Sequence, residues 1–303
     1  MQRTGDTIKA AIANSADLDR ASRPRSLNSD KFGNGRVLVV GGSSRFHGAP
    51  VLATGAAYAT LAALRTGAGY AVMCVPRSIV NTARILSPNL IVVPLSGNNI
   101  DTRDIRQLKK EAAKADVVVV GPGMGRNTGS LRAAGTFAKS CIALGKKLIL
   151  DADALRIGIG KIKLNKDVLL TPNESEFFFL TGRGMDGKGV DARAKAATDT
   201  AKALHCVVLL KGHETIVSDG ASAKVVRAKT AALATMGTGD VLSGVVAGFA
   251  ARGNSVFDAA VAGAYAQAAL GDMLYRLKGY HLLASDLVEQ IPRLLKPFDR
   301  TTY

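Results

Sequence analysis

The run Thr235-Met236-Gly237-Thr238-Gly239-Asp240-Val241-Leu242-Ser243-Gly244 joins a glycine-rich turn, a carboxylate and the start of an apolar helical stretch. The first turn of a helix carries unbonded N–H groups and the positive end of the helix dipole, and so attracts phosphate oxygens. Gly237 and Gly239 let an anion come close to the backbone. Asp240 repels an anion, so simple phosphate binding does not explain it. It suits a base that takes the proton from a hydroxyl about to meet a phosphoryl group. A plain helix start, where Gly and Asp are common, is the alternative.

Further polar or glycine-rich runs follow short apolar stretches. Lys211-Gly212-His213-Glu214-Thr215 offers a cation and a bare backbone to a phosphate, or is the entry to a hairpin with a surface lysine. Asp151-Ala152-Asp153 can hold a cation through water, although Asp153 reads better as a helix N-cap. In Thr171-Pro172-Asn173-Glu174-Ser175-Glu176 a polar pair, Asn173 and Glu176, sits at a helix start; it is either near phosphate and metal or an acidic first turn suited to the dipole. Gly121-Pro122-Gly123-Met124-Gly125 and Gly41-Gly42-Ser43-Ser44 suggest close backbone approach to a ligand.

The elements that must position these runs alternate between strand and helix. Strands are expected at 36–41, 70–75, 90–94, 117–121, 147–151, 168–171 and 207–211, and helices at 50–66, 101–114, 128–145 and 189–204. Continuous apolar strands alternating with helices imply a mainly parallel sheet covered on both faces, an α/β fold. Residues 214–229 read as a hairpin turning at Asp219-Gly220. Helices at 239–252, 255–275 and 284–296, the last capped by Ser285, make a C-terminal helical layer. Residues 1–34 read as a helix and an extended lead-in, and 35–298 as a single domain. In such sheets ligands bind beyond the carboxyl ends of the strands, so parallel strands would bring all of these runs to one edge.

Composition narrows the partners. Of 303 residues, 40 are Lys or Arg against 24 Asp or Glu, a formal net charge of +16. That excess favours anionic ligands such as nucleotides. With 5% aromatic residues and no Trp, stacking platforms for single-stranded nucleic acid are poorly supplied. Cys74, Cys141 and Cys206 are far apart in apolar runs and read as reduced core residues. The four histidines lack metal-ligand spacing. No stretch approaches a membrane span of about 20 apolar residues, and a cytoplasmic location is expected. Residues 182–187 match G-x-G-x-x-G, and 182–188 match a P-loop, but Gly189 stands where the Ser/Thr for Mg²⁺ belongs. They also follow a short helix, not a strand, and read as a glycine loop.

Taken in order, the motifs resemble the ADP-dependent NAD(P)H-hydrate dehydratases of the ribokinase-like superfamily. The likeness runs through Gly41-Gly42-Ser43, His47-Gly48-Ala49-Pro50, Ala63-Leu64-Arg65-Thr66-Gly67-Ala68-Gly69, Gly121-Pro122-Gly123, Leu150-Asp151-Ala152-Asp153-Ala154-Leu155, Leu170-Thr171-Pro172, Leu210-Lys211-Gly212 and 237–244. It closes with His281-Leu282-Leu283-Ala284-Ser285-Asp286-Leu287. The resemblance implies a three-layer α/β/α fold and a dehydratase domain standing without the epimerase domain to which it is fused in many bacteria. It also implies repair of hydrated NADH or NADPH: the hydrate hydroxyl is phosphorylated from ADP (ATP in eukaryotic relatives) with Mg²⁺, and phosphate is then eliminated.

By position, the resemblance makes Asp240 the base and the N–H groups of Gly237, Thr238 and Gly239 the cradle for the transferring phosphoryl group. Lys211, Gly212, His213, Glu214, Thr215 and Gly239 would bind the nucleotide, and Ala49, Gly123, Asn173 and Asp240 the hydrate. Glu176 is the candidate metal ligand, and a homo-oligomer, as a tetramer, is expected. The chain departs from the family in Thr-Pro-Asn-Glu-Ser-Glu, where Thr-Pro-His-x-Gly-Glu is usual. Asn173 with Glu176 is closer to the sugar and vitamin kinases of the superfamily, so a small-molecule kinase is the second reading. A nucleotide-binding regulator or nucleic-acid-associated protein is the third.

Overall fold

A run such as Val117-Val118-Val119-Val120 is apolar on both faces of a strand and needs cover on both sides. The computed structural model, which describes residues 10–43, 49–182, 184 and 189–303, supplies that cover. The chain opens with β1 (Ala11–Ile12), α1 (Ser15–Ala21) and β2 (Arg25–Ser26), then runs β3 (Arg36–Val40), α2 (Ala49–Arg65), β4 (Tyr70–Pro76), α3 (Val80–Leu86), β5 (Ile91–Leu95), α4 (Ile105–Lys114) and β6 (Val117–Val120). It continues through α5 (Thr128–Ala143), β7 (Lys147–Leu150), β8 (Val168–Leu170), α6 (Glu174–Thr181), α7 (Val190–Leu204) and β9 (Val207–Leu210). The hairpin β10 (Glu214–Ser218) and β11 (Ala223–Arg227) precedes α8 (Thr238–Ala251), α9 (Val256–Lys278), α10 (Ala284–Leu295) and β12 (Thr301–Thr302).

The main sheet has ten strands in the order β1-β11-β10-β9-β8-β7-β6-β3-β4-β5. Every pairing is parallel except those of β10 with β9 and β11. Alternate strand residues feed two cores. Val37, Val39, Val117, Val119 and Leu209 pack under α2, α8, α9 and α10. Leu38, Val40, Val118, Val120 and Leu210 pack under α4, α5 and α7. The result is the expected α/β/α arrangement, with the C-terminal helices joining α2 in one outer layer. Cys74, Cys141 and Cys206 are free and buried, and burial pushes their thiols up to about 12.

The expected elements are present, with corrections at their ends. Lys211 and Asp151 lie just past β9 and β7, not inside them. Asp153 caps no helix: it lies inside a 3₁₀ turn, Ala152–Arg156, and pairs with Arg126 at 3.0 Å. Ser285 is not the cap of α10; that position is Leu283, whose N–H donates to Asp286. The hairpin turns where expected, with Asp219 Oδ1 accepting from the N–H groups of Ala221 and Ser222. Ahead of residue 35, α1 packs on α9 and β1 extends the main sheet, while β2 pairs with β12. His47, Gly48 and most of the glycine loop at 182–188 lie outside the described residues. Among the described residues no helix is long and apolar enough to cross a membrane.

Candidate active site

Because β3, β6, β7, β8 and β9 are neighbours and parallel, the runs that follow them share one edge of the sheet. They are joined there: Gly42 N–H donates to the Pro122 carbonyl at 2.9 Å, and Lys211 N–H to Pro172 at 2.8 Å. The beginning of α8 completes the edge. Gly237 is its N-cap with φ 88°, a conformation that favours glycine, and a Cβ there would press on Ala284 Cβ at 3.0 Å and on the ring of Tyr58 at 3.2 Å. The Thr238 hydroxyl lies 2.8 Å from the Leu233 carbonyl and 2.9 Å from that of Thr235. Gln267 of α9 donates to the Thr238 carbonyl at 2.7 Å. The helix start is thus held from the loop before it and from α9.

Asp240 is the third residue of α8 and partly exposed. Burial pushes its carboxyl up to about 7, the charge on Asp151 adds to this, and Lys211 opposes it. The carboxylate lies against Gly55 of α2, where a Cβ would stand 3.0 Å from Oδ2. A carboxyl poised near neutrality in a cleft is suited to accept a proton.

Asp151 is 1% exposed. Its Oδ1 accepts from Thr171 Oγ1 at 2.6 Å and from Lys211 Nζ at 2.9 Å, and its Oδ2 from Ser243 Oγ at 2.6 Å. Burial alone would raise its pKa, but the Lys211 ammonium and these hydroxyls hold it below the usual carboxylate range. Lys211 is held protonated by Asp151 and by Glu176 at 3.5 Å, which together overcome the effect of burial. Its Nζ also lies 3.6 Å from where a Cβ on Gly239 would be. Negative, positive and titrating groups therefore meet at the first turn of α8.

Beside this cluster is a cavity of about 500 Å³, ample for a nucleoside. Lys211, Gly212, His213, Thr215, Thr238 and Gly239 line its polar side, and Val226, Leu233, Leu242 and Ala264 its apolar side. Asn173 also lines it, and it is the N-cap of α6. Asn173 Oδ1 accepts from Glu176 N–H at 2.9 Å, and Glu176 Oε2 accepts from Asn173 N–H at 2.8 Å, a reciprocal capping box. Glu214 does not line the cavity; it begins β10 and pairs with Arg227 at 3.1 Å. Gly123, with φ 64°, lies in the loop after β6 and does not line the cavity; Ala49 is the first residue of α2. Among the described residues no group of three or more His, Cys, Asp or Glu could hold a metal.

Sequence reasoning missed several of these residues. Asp151 was visible, but as a cation holder and not as the partner of Lys211. Ser243 stands in the opening run but is given no role there, and Gly55 and Gln267 stand in helices with nothing local to mark them. Arg193 of α7 carried a usable signal: it interrupts the buried stripe that includes Ala194, Ala197 and Ala201.

The sheet order, the strand-end runs and the cavity beside a helix N-terminus define a three-layer α/β protein with a ligand site beyond the carboxyl ends of its strands. A ribokinase-like superfamily protein from Enterococcus faecalis superposes with a TM-score of 0.81 at 20% identity, over 99% of both chains. The Bacillus subtilis ADP/ATP-dependent NAD(P)H-hydrate dehydratase, co-crystallised with ATP/Mg²⁺, superposes with a TM-score of 0.73 at 23% identity, over 96% of this chain and 99% of that one. The NAD(P)H-hydrate dehydratase family model matches residues 37–293. The ADP-dependent (S)-NAD(P)H-hydrate dehydratase of Nitrosopumilus maritimus is 35% identical over 277 residues, covering 91% of this chain and 93% of that protein. A bifunctional NAD(P)H-hydrate repair enzyme of Pyrobaculum aerophilum is 35% identical over 274 residues, and the chain spans 53% of its length. The chain belongs to the NAD(P)H-hydrate dehydratase family.

Proposed function

We propose that residues 35–298 form one domain that dehydrates (6S)-NAD(P)H hydrate at the expense of ADP. The observation that carries the reading is Asp240: a carboxyl raised to about 7, in the first turn of a glycine-led helix, next to a nucleotide-sized cavity. The nucleoside occupies the cavity between the 211–215 loop and α9. Its terminal phosphoryl group reaches the first turn of α8, where the Gly239 N–H belongs to the set that has no carbonyl to bond within the helix. Lys211 lies beside Gly239 and balances phosphate charge. The hydrate approaches from the Gly55 side, where the Asp240 carboxylate lies. Asp240 takes the proton of the C6 hydroxyl as its oxygen attacks phosphorus; ADP leaves as AMP. Phosphate then departs from C6 and a proton from C5, which restores the ring double bond and yields NAD(P)H, AMP and inorganic phosphate. Hydroxide is a poor leaving group and phosphate a good one, so a kinase-like first step serves a dehydratase.

The donor set fits a Mg²⁺ that rides on the nucleotide. Such an ion keeps several waters and takes one or two protein carboxylates plus phosphate oxygens. Both oxygens of Asp151 are engaged, and Glu176 Oε2 already accepts from Asn173 N–H, so Glu176 would hold such an ion through its other oxygen. When bound it neutralises charge on the phosphates. The family likeness also supports work in the cytoplasm and assembly as a homo-oligomer, a tetramer.

The test mixes the protein with hydrated NADH, ADP and Mg²⁺ and follows recovery of absorbance at the reduced-nicotinamide band. Recovery with release of AMP and phosphate is expected. No recovery, with phosphorylation of a sugar or pyrimidine alcohol instead, overturns the reading in favour of a small-molecule kinase.

A further inference from the structure

Arg193 is buried, its side chain 10% exposed, in a helix face otherwise made of small residues, Ala194, Ala197, Thr198 and Ala201. Nε donates to the Glu214 carbonyl at 3.1 Å; Nη2 donates to those of Lys211 at 2.9 Å and Leu210 at 3.4 Å. Nη1 is ion-paired with Glu174, at the start of α6. The guanidinium thus reaches the end of β9, the loop after it and the start of β10 together. Gly212 lies against it so closely that any Cβ would overlap Nη2, and Gly212 has no unusual φ to explain the absence of a side chain.

Burying a cation is costly unless its hydrogen bonds are met. Here they are met by backbone carbonyls of the loop that lines the cavity. Its carboxylate partner, Glu174, is 63% exposed, so solvent screens that pairing and positive potential remains beneath the loop. A lysine, a point charge without a planar fork, cannot serve these carbonyls at once.

We infer that Arg193 is a positioning residue for nucleotide binding: the 210–214 segment is folded around its guanidinium, which sets Lys211 and the backbone of Gly212 and His213 for a nucleoside diphosphate. This rests on the nucleotide reading above. The test is a double-mutant cycle read by calorimetric titration with ADP, at temperatures well below each variant's Tm. Arg193→Ala should weaken ADP about tenfold or more, roughly one hydrogen bond to a charged group, and Arg193→Lys should recover only part. Gly212→Ala should weaken ADP in the wild-type background, yet cost less than about twofold further in Arg193→Ala, where the atom it meets is gone. ADP affinity within about twofold of wild type in Arg193→Ala, or additive effects in the cycle, overturns the inference. Wild-type protein that binds no ADP overturns the functional reading along with it. Should Arg193→Ala fail to fold, the folded Arg193→Lys decides: ADP affinity within about twofold of wild type overturns the inference, and weakened affinity supports it.

Discussion

Asp240, Asp151 and Glu176 crowd a single ammonium, Lys211, and the two aspartates titrate differently because their partners differ. Asp151 has two hydroxyls and the ammonium, and stays ionised. Asp240 has burial and like charge against it, and holds a proton up to about pH 7. In the unfolded chain it would lose that proton near 3.8. The folded state therefore binds the extra proton between about pH 4 and pH 7, and stability declines as pH rises through that window. Asp240→Asn should remove this penalty: melting curves at pH 8 should show a gain of about 1 kcal/mol or more. Turnover should fall by about 10³-fold, with ADP affinity nearly unchanged. Loss of ADP binding in a folded variant contradicts the role of base. For the wild type, kcat/KM should fall below pH about 7 as Asp240 takes up its proton. Asp151→Asn removes a negative neighbour, so this acid limb should move to lower pH. It also leaves Lys211 short of its buried partner and should cost about 3 kcal/mol of stability in urea titrations.

Among the elements, the contact between α2 and α8 positions Asp240, the proposed base. Gly244 of α8 lies so close to Ala59 of α2 that a Cβ would overlap the Ala59 carbonyl, and Gly55 of α2 leaves room for the Asp240 carboxylate. By helix propensity alone, Gly244→Ala should stabilise by up to about 1 kcal/mol. The contact predicts the opposite: a loss of about 1–3 kcal/mol, with a drop in kcat as the helices separate. A raised Tm would show that the close approach carries no weight. This pairing was not legible in the sequence, because a glycine in a helix does not announce which backbone it meets. The sheet was legible, since strands buried on both faces read as unbroken apolar runs and the helices between them as Ala-rich stretches. The two-residue strands β1, β2 and β12 are too short to show any period. Asp240, Lys211 and Gly212 were legible as glycine and charge at strand and helix ends. Gln267 was not, because its work is done for a backbone carbonyl brought near only by folding, and Arg193 showed only as a charge in a buried stripe.

For the whole molecule, the excess of positive charge is arranged in two ways. Far from the site, arginines serve helix C-termini: Arg300 donates to the carbonyls of Asp19 and Ser22 at the end of α1, and Arg25 to that of Gly67 beyond α2. Arg252, the C-cap of α8, is crowded by Arg23 and Arg25, and burial with that repulsion lowers its pKa. These positions are accounted for by the negative ends of helices. The remainder of the +16 charge acts at a distance, as a field that draws in anions. ADP and the hydrated dinucleotide are both anionic, so encounter should be steered. At about 10 Å, the Debye length in 0.1 M salt is short compared with the molecule, and it lengthens to about 30 Å in 0.01 M salt. The association rate of ADP, followed by stopped-flow fluorescence with a labelled nucleotide, should therefore fall about tenfold between low and high salt. If the proposed site at Lys211, the loop around Arg193 and the cavity walls holds the nucleotide, the dissociation rate should change far less, because buried pairs are weakly screened. A dissociation rate that rises with salt while association stays level would place the nucleotide's charge contacts on the exposed surface instead of in the cavity. Binding of duplex DNA that survives the same salt increase, with ADP binding absent, would return the charge excess to the nucleic-acid reading.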